Sequence, residues 1–336
     1  MLQQTQVKTV IPYFERWMRE LPNIEAVARV STDRILKLWE GLGYYIRVRN
    51  LQKAAREIVQ WHQGRFPSKF EDVLALPGIG PYTAGAICSI AFNQPAPILD
   101  GNVIRVLARM FGIRDNVKER SVNQELWKLA ELLVCAAGKM DSNPFAMFSG
   151  SYSSGPCCNL NQALMELGAM VCSPRAPRCE SCPLRKGCCA CRLELTESLP
   201  KLGRRAAATK RNFLTFVLQH EHRVLVQKRP NGVVNANLWE FPNVEVIGNQ
   251  PSASEAAQKL FGFADLAPKR LCSFQHTITR YRITLHAYRM ELPSKPVAPP
   301  QMRWCTAHTL RKLAFPSAHR RIAHGVITLL SNGRIK

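Results

Sequence analysis

Residues 74–87, LALPGIGPYTAGAI, and residues 98–110, ILDGNVIRVLARM, decide how the first half of this chain is read. In the first stretch two helical segments meet at a Gly-x-Gly turn, Gly78 and Gly80, with Pro77 and Pro81 beside them. Glycine lets a backbone come close to a phosphate, and the N-terminus of the following helix offers N–H groups that lack internal partners. Taken alone, the same turn is an ordinary connection between helices. In the second stretch Asp100 precedes apolar residues at helical spacing, where a helix N-cap belongs. Capping is the simplest use of a lone Asp. A carboxylate held by helix N–H groups also stays an anion, and an anion stabilises the oxocarbenium-like state of glycosidic bond cleavage.

The flanking sequence is helical as well. Segments such as 32-TDRILKLWEGLG and 123-NQELWKLAELLVCAAG carry apolar residues three and four apart, and residues 1–192 read as mainly α. Residues 149–158, SGSYSSGPCC, read as a Ser/Gly-rich inserted loop with no assigned role, and Cys157 and Cys158 within it as free thiols. A basic linker is expected over 193–211, containing 199-LPKLGRRAAATKR. Beyond it 213-FLTFVLQHEHRVLVQKR alternates about a turn like a β-hairpin, 253-ASEAAQKLFG is helix-like, and 280-RYRITLHAYRM is strand-like. Residues 212–336 therefore form a second, α+β domain.

Lys and Arg outnumber Asp and Glu 46 to 24, a formal charge of +22, which points to a polyanion partner such as nucleic acid. No apolar run is long enough for a membrane span, and no secretory signal opens the chain, so a cytoplasmic location is expected. Of twelve cysteines, six crowd between Cys172 and Cys191, which argues for a metal or cluster site over a disulfide framework. Cys172, Cys179, Cys182 and Cys188 follow the spacing C-x6-C-x2-C-x5-C. Four thiolates so spaced can wrap one cubane cluster, one per iron; zinc is the rival, but its ribbons use two C-x2-C knuckles and only one is present. Cys189 and Cys191 leave the fourth ligand open, and read best as thiols near solvent.

Together these elements resemble the helix-hairpin-helix DNA glycosylase superfamily that carries an iron–sulfur loop, over nearly the whole chain and in the expected order. The resemblance implies a [4Fe-4S] cluster on Cys172, Cys179, Cys182 and Cys188, and Asp100 as the catalytic carboxylate. The lyase-active, pyrimidine-specific branch places a lysine in the hairpin to form a Schiff base. This chain has Tyr82 there, like the monofunctional adenine (MutY-type) branch. The opening 1-MLQQTQV is similar to that branch's signature, which implies that Leu2 and Gln4 reach the DNA. In 40-EGLGYYIRVRNL, Leu42 and Tyr44 match DNA-contacting positions, Tyr44 as a wedge, although Tyr44 also reads as a core aromatic. In 161-NQALMELGAMVC, Gln162 matches a contact to the flipped adenine. The stretch 224-VLVQKRPNGVVNANLWEFPNVE resembles the Nudix-like domain that inspects the opposite base. Its helix keeps one acid, Glu255, so metal-dependent hydrolysis is not expected. A Phe-Ser-His loop of the family is matched by Ile278, Thr279 and Arg280.

The expected function is removal of adenine opposite 8-oxoguanine or guanine in double-stranded DNA by a monomeric, nucleoid-associated bacterial enzyme. One departure bears on activity. The family's general acid is a glutamate two positions ahead of the Met-Leu-Gln-Gln run, and this chain starts at that methionine. Either the start is an internal methionine, the reading favoured here, or the chain is an inactive lesion-binding protein. Glu40 and Glu166 are the nearest acids, and structural or surface roles suit both.

Overall fold

The computed structural model describes residues 1–3, 5–140, 155–203, 207–246, 252–262, 267–278 and 280–331. The chain divides into two compact units, residues 1–59 with 206–336, and residues 60–205. Helical content dominates the first 192 residues and a mixed sheet the last 130 or so, which is the mainly α plus Nudix-like α+β architecture read from the sequence.

In the first unit α1 (Val7–Glu20), α2 (Ile24–Arg29), α3 (Thr32–Trp39) and α4 (Ile46–Trp61) bury an apolar cluster that includes Trp17, Ile35, Leu36, Trp39 and Tyr45. Asn23 and Ser31 cap α2 and α3 by accepting from the Ala26 and Arg34 N–H groups. Leu238 and Ala314 from the C-terminal half complete the same cluster. Glu40 fixes that packing: it accepts from the Phe315 N–H at 2.8 Å and from the Lys37 ammonium at 2.6 Å. Its role is structural.

The C-terminal sheet is built from β1 (Thr209–His220), β2 (Arg223–Lys228), β3 (Trp239–Glu240), β4 (Asn243–Val246), β5 (Lys269–Ile278), β6 (Tyr281–Glu291) and β7 (Met302–Cys305). Its order is β3-β2-β1-β6-β5, with β4 paired to β1 and β7 to β2. The hairpin expected from residue 213 is β1–β2, closing at His220 opposite Arg223. β1 and β6 run parallel, from Thr209 opposite Tyr281 to Gln219 opposite Glu291. Alternation along β1 sends Phe216 and Leu218 to one face and Val217 to the other. The 253–262 helix, here Ala253–Phe261, covers the first face with Ala256 and Ala257, and the C-terminal helix Ser317–Ser331 covers the second.

The second unit holds α5 (Phe70–Ala75), α6 (Pro81–Phe92), α7 (Gly101–Phe111), α8 (Arg120–Gly138) and α9 (Pro156–Glu166), then a π-helical turn Leu167–Val171 and the cysteine loop. A four-residue α10 (Cys189–Arg192) ends it. By the same count the C-terminal helices are α11 (Ala253–Phe261), α12 (Ala307–Lys312) and α13 (Ser317–Ser331).

Within the 193–211 segment Leu199 is buried, its carbonyl accepts from the Arg109 guanidinium at 2.9 Å, and Lys201 bridges to Asn116. Of the 149–158 insertion, 149–154 lie outside the described residues. Cys157 and Cys158 are not loop thiols, because they are buried in the first turn of α9. Asn93, left-handed at the end of α6, accepts from both of their N–H groups and so caps α9.

Candidate active site

The hairpin predicted from Gly78 and Gly80 is α5–α6. Gly78 takes φ +81°, the left-handed region that favours glycine, and Gly80 is the N-cap of α6 with Pro81 at its first position. Both glycines are exposed, and open space surrounds the position of a Cβ on Gly80. The first turn of α6 is therefore open to an anion.

Asp100 caps α7. One carboxylate oxygen accepts from the Asn102 and Val103 N–H groups at 2.9 and 2.8 Å, and the other from the Asn102 amide at 3.1 Å. Asp100 is half-buried. Tyr82, in the first turn of α6, feels its charge: burial first, and then Asp100, push the phenol pKa up. The Tyr82 hydroxyl meets the Met165 sulfur at 3.5 Å. The hairpin and the Asp100 carboxylate are thus brought together.

What holds them there was not singled out in the sequence. Gly85 on α6 packs against the chain before Asp100 so closely that a Cβ would overlap the Pro97 carbonyl. Gly168 in the π-helical turn lies against Asn102, where a Cβ would come within 2.6 Å of the Asn102 Cβ and 2.9 Å of its carbonyl oxygen. Arg105, buried, donates to the carbonyls of Cys172 at 2.7 Å, Gly168 at 2.6 Å and Gly101 at 3.2 Å. Arg109, one turn on, donates to the Ser173 and Pro174 carbonyls at 2.7 and 3.3 Å and to the Cys172 sulfur at 3.3 Å. Two guanidinium groups four residues apart therefore tie the helix that Asp100 begins to the cysteine loop. The signal was present as two arginines at i and i+4 in an otherwise apolar helix.

Cys172, Cys179, Cys182 and Cys188 line one pocket with Cys191, Arg109, Arg178 and Arg185. Four thiols around a shared cavity are the donor set that a multi-iron group, taking one sulfur per metal, requires. Burial and the neighbouring thiols push Cys179 and Cys188 up in pKa. Cys191 was read as a thiol near solvent; the structure puts it in the pocket. Cys189 packs elsewhere, against Gly112.

The remaining residues fall on different units. Gln162 lies half-buried on α9, in the second unit, and donates to the Cys158 sulfur. Leu2, Leu42, Tyr44, Ile278 and Arg280 belong to the first unit. Leu2 is exposed. Gln4 and Thr279 lie outside the described residues. Tyr44 has φ +46°, is 49% exposed, and carries the Arg47 guanidinium over its ring, so the core-aromatic reading passes to its neighbour Tyr45, which is 3% exposed. Leu42, at 6% exposure, belongs to the apolar cluster around Trp39. Arg47 ties this turn to the chain start, donating to the carbonyls of Met1 and Leu42, both at 3.2 Å. Ile278 and Arg280 stand at the β5–β6 hairpin, where Ile278 pairs with Tyr281 and Arg280 stacks over the Tyr281 ring. Glu255 is taken up by the capping box of α11, exchanging hydrogen bonds with Ser252.

A helix-hairpin-helix, a capping Asp beside it and a cysteine pocket on the same helix define a base-excision DNA glycosylase, and residues 1–132 match the model of the HhH-GPD superfamily of base excision DNA repair proteins. Residues 214–325 match the NUDIX domain model. The chain is 33% identical to the adenine DNA glycosylase of Mus musculus over 96% of its own length and 69% of that protein. It is 34% identical to the enzyme of Buchnera aphidicola subsp. Schizaphis graminum, over 85% of this chain and 76% of that one, and 33% identical to the human enzyme, over 96% and 66%. The chain belongs to the adenine DNA glycosylase family. It is a DNA repair glycosylase that acts on DNA, and among the described residues no helix is long and apolar enough to cross a membrane.

Proposed function

We propose that this chain removes adenine paired with 8-oxoguanine or guanine in duplex DNA, by hydrolysis and without strand cleavage. The observation that carries this reading is the hairpin: Tyr82, not an amine, stands beside the helix-capped carboxylate of Asp100. Asp100 stabilises the positive charge that develops on the sugar as the C1′–N9 bond breaks; water then adds at C1′. Tyr82 shields that carboxylate and positions the extruded nucleoside. Gly78 and Gly80 receive a phosphate at the start of α6, Gln162 contacts the flipped base, and Leu2, Gln4 and Tyr44 fill the gap that it leaves. Ile278, Thr279 and Arg280 inspect the opposite base. Residues 1–192 act as the glycosylase part and 212–336 as the recognition part, working as a monomer on chromosomal DNA in the cytoplasm.

Cys172, Cys179, Cys182 and Cys188 would hold a [4Fe-4S] cluster, with Arg109, Arg178 and Arg185 offsetting its negative charge. When bound it supplies a rigid cross-link for the loop beside α7, since the hydrolysis transfers no electrons.

The proton for the departing base is assigned by resemblance to the glutamate two positions ahead of the Met-Leu-Gln-Gln run. The test is therefore single-turnover release of adenine from duplexes with A opposite 8-oxoguanine, G or T, comparing the 336-residue chain with a form extended upstream in its reading frame. Release opposite 8-oxoguanine and G but not T is expected from the extended form. No release by either form, with retained binding, would replace the enzyme by a lesion binder. Strand cleavage trapped by borohydride would turn the reading to a lyase.

A further inference from the structure

The cysteine pocket holds one thiol more than a four-iron cluster takes. Cys191 lines it with the other four cysteines, and its side chain neighbours that of Cys179. Its position is fixed by the backbone: Cys188 is the N-cap of α10, and its carbonyl accepts from the Arg192 N–H at 3.1 Å. This short turn brings the Cys191 side chain back into the cavity. Cys189 shows that the placement is selective, because its sulfur packs on the opposite side, 2.5 Å from where a Cβ on Gly112 would stand.

We propose that Cys191 is an alternate cluster ligand that takes over the iron of Cys179, so that Cys172, Cys182, Cys188 and Cys191 form a second complete quartet. This rests on the cluster reading above. The exchange balances: the Fe–S bond to Cys179 breaks and that to Cys191 forms. The Cys191 thiol gives up one proton and the released Cys179 sulfur takes one up. Four thiolates remain on four irons and the charge of the site does not change. A thiol tethered in the cavity has a high effective concentration, so an iron whose bond to Cys179 opens is recaptured before a chelator reaches it. Apart from its neighbours in the loop, no other described thiol lines the pocket.

The test measures iron and acid-labile sulfide per chain after anaerobic reconstitution. Wild type and Cys191→Ser are expected to hold a full cluster of about four irons. Cys179→Ser is expected to keep it, whereas Cys179→Ser with Cys191→Ser loses it. Loss in Cys179→Ser alone, with its helical circular dichroism intact, overturns the proposal. Because that variant could fail to fold, Cys191→Ser gives a second reading with all four primary ligands present. Challenged with a ferrous chelator, it is expected to lose iron several-fold faster than wild type, and an equal rate overturns the proposal. A wild type that takes up no iron and sulfide refutes the cluster itself, which is a separate outcome.

Discussion

Asp100 and Glu255 both serve a helix N-terminus, and they have different fates. Asp100 caps α7 in the 60–205 unit, and Glu255 closes the capping box of α11 in the C-terminal part. Both accept backbone hydrogen bonds at a helix N-terminus, worth about 1 kcal/mol each to the helix. Glu255 is exposed and meets only its own turn. Asp100 is half-buried, flanked by Tyr82, with two glycines and two arginines holding its helix against the neighbouring chain. The C-terminal part treats its other polar groups as it treats Glu255. Glu240, 5% exposed, is bound by Arg229 and by Gln227 at 2.9 Å, and the buried His319 accepts from the Phe241 N–H. Capping chemistry is the same in both places. What surrounds the cap is what would separate the carboxylate proposed to act on the sugar from a structural one.

The largest effect that could break this comparison is Asp100→Asn. Asparagine caps a helix about as well as aspartate, so thermal unfolding should change little. Removing the negative charge at the reacting sugar should lower single-turnover adenine release by about three orders of magnitude. A variant that unfolds easily but cleaves normally would reduce Asp100 to a cap like Glu255.

Much of this was legible. The Gly-x-Gly turn, the capping Asp and the four cysteines are local patterns, and a local pattern carries its own geometry. The supports were not, because each depends on a partner far along the chain. Gly85 needs its smallness only because Pro97 crosses it, and Arg105 and Arg109 gain their role only once the carbonyls of residues 168–174 are placed around them. The pair Tyr44-Tyr45 shows a third limit. Two adjacent aromatics share every sequence signal, and the left-handed backbone at Tyr44 decides which one faces out.

Glycine substitutions sharpen the contrast next. Gly85→Ala places a methyl group into the Pro97 carbonyl, and overpacking of this kind costs about 1–3 kcal/mol, with loss of adenine release because the chain displaced leads to Asp100. Gly325, within α13 of the C-terminal part, has open space at its Cβ position. Gly325→Ala should stabilise by about 0.5–1 kcal/mol through helix propensity. Urea unfolding of the two variants should therefore shift in opposite directions. Shifts of the same sign would show that the close approach at Gly85 is not a constraint.

The C-terminal part also carries a pH signature that the Asp100 region does not need. Burial first, then the positive Arg229, push the His319 ring down to about 3, so at neutral pH its contact with Glu240, 3.7 Å away, is not an ion pair. Below about pH 6.5 the unfolded chain gains a proton at this ring that the folded protein refuses until about pH 3. Stability contributed here is present above the unfolded value and is lost as pH falls, at about 1.4 kcal/mol per pH unit. Urea midpoints at successive pH values for wild type and His319→Asn should differ in slope over that window. Equal slopes would mean that the ring titrates normally.

The smallest effect tests the other half of the comparison. Ser252→Ala removes the acceptor for the Glu255 N–H and should cost about 1 kcal/mol; Glu255→Gln keeps a group that can still reach back to the Ser252 backbone and should cost much less. Neither should alter adenine release or lesion preference, since the carboxylate accepts from the Ser252 N–H of its own turn. The informative variant is the conservative one. A structural cap tolerates an amide in place of a carboxylate, whereas an acid that holds a cation or shapes a binding surface does not. If Glu255→Gln changed adenine release while leaving the melting temperature in place, α11 would have kept a function that its single acid otherwise gives no sign of, and Glu255 would have to be grouped with Asp100.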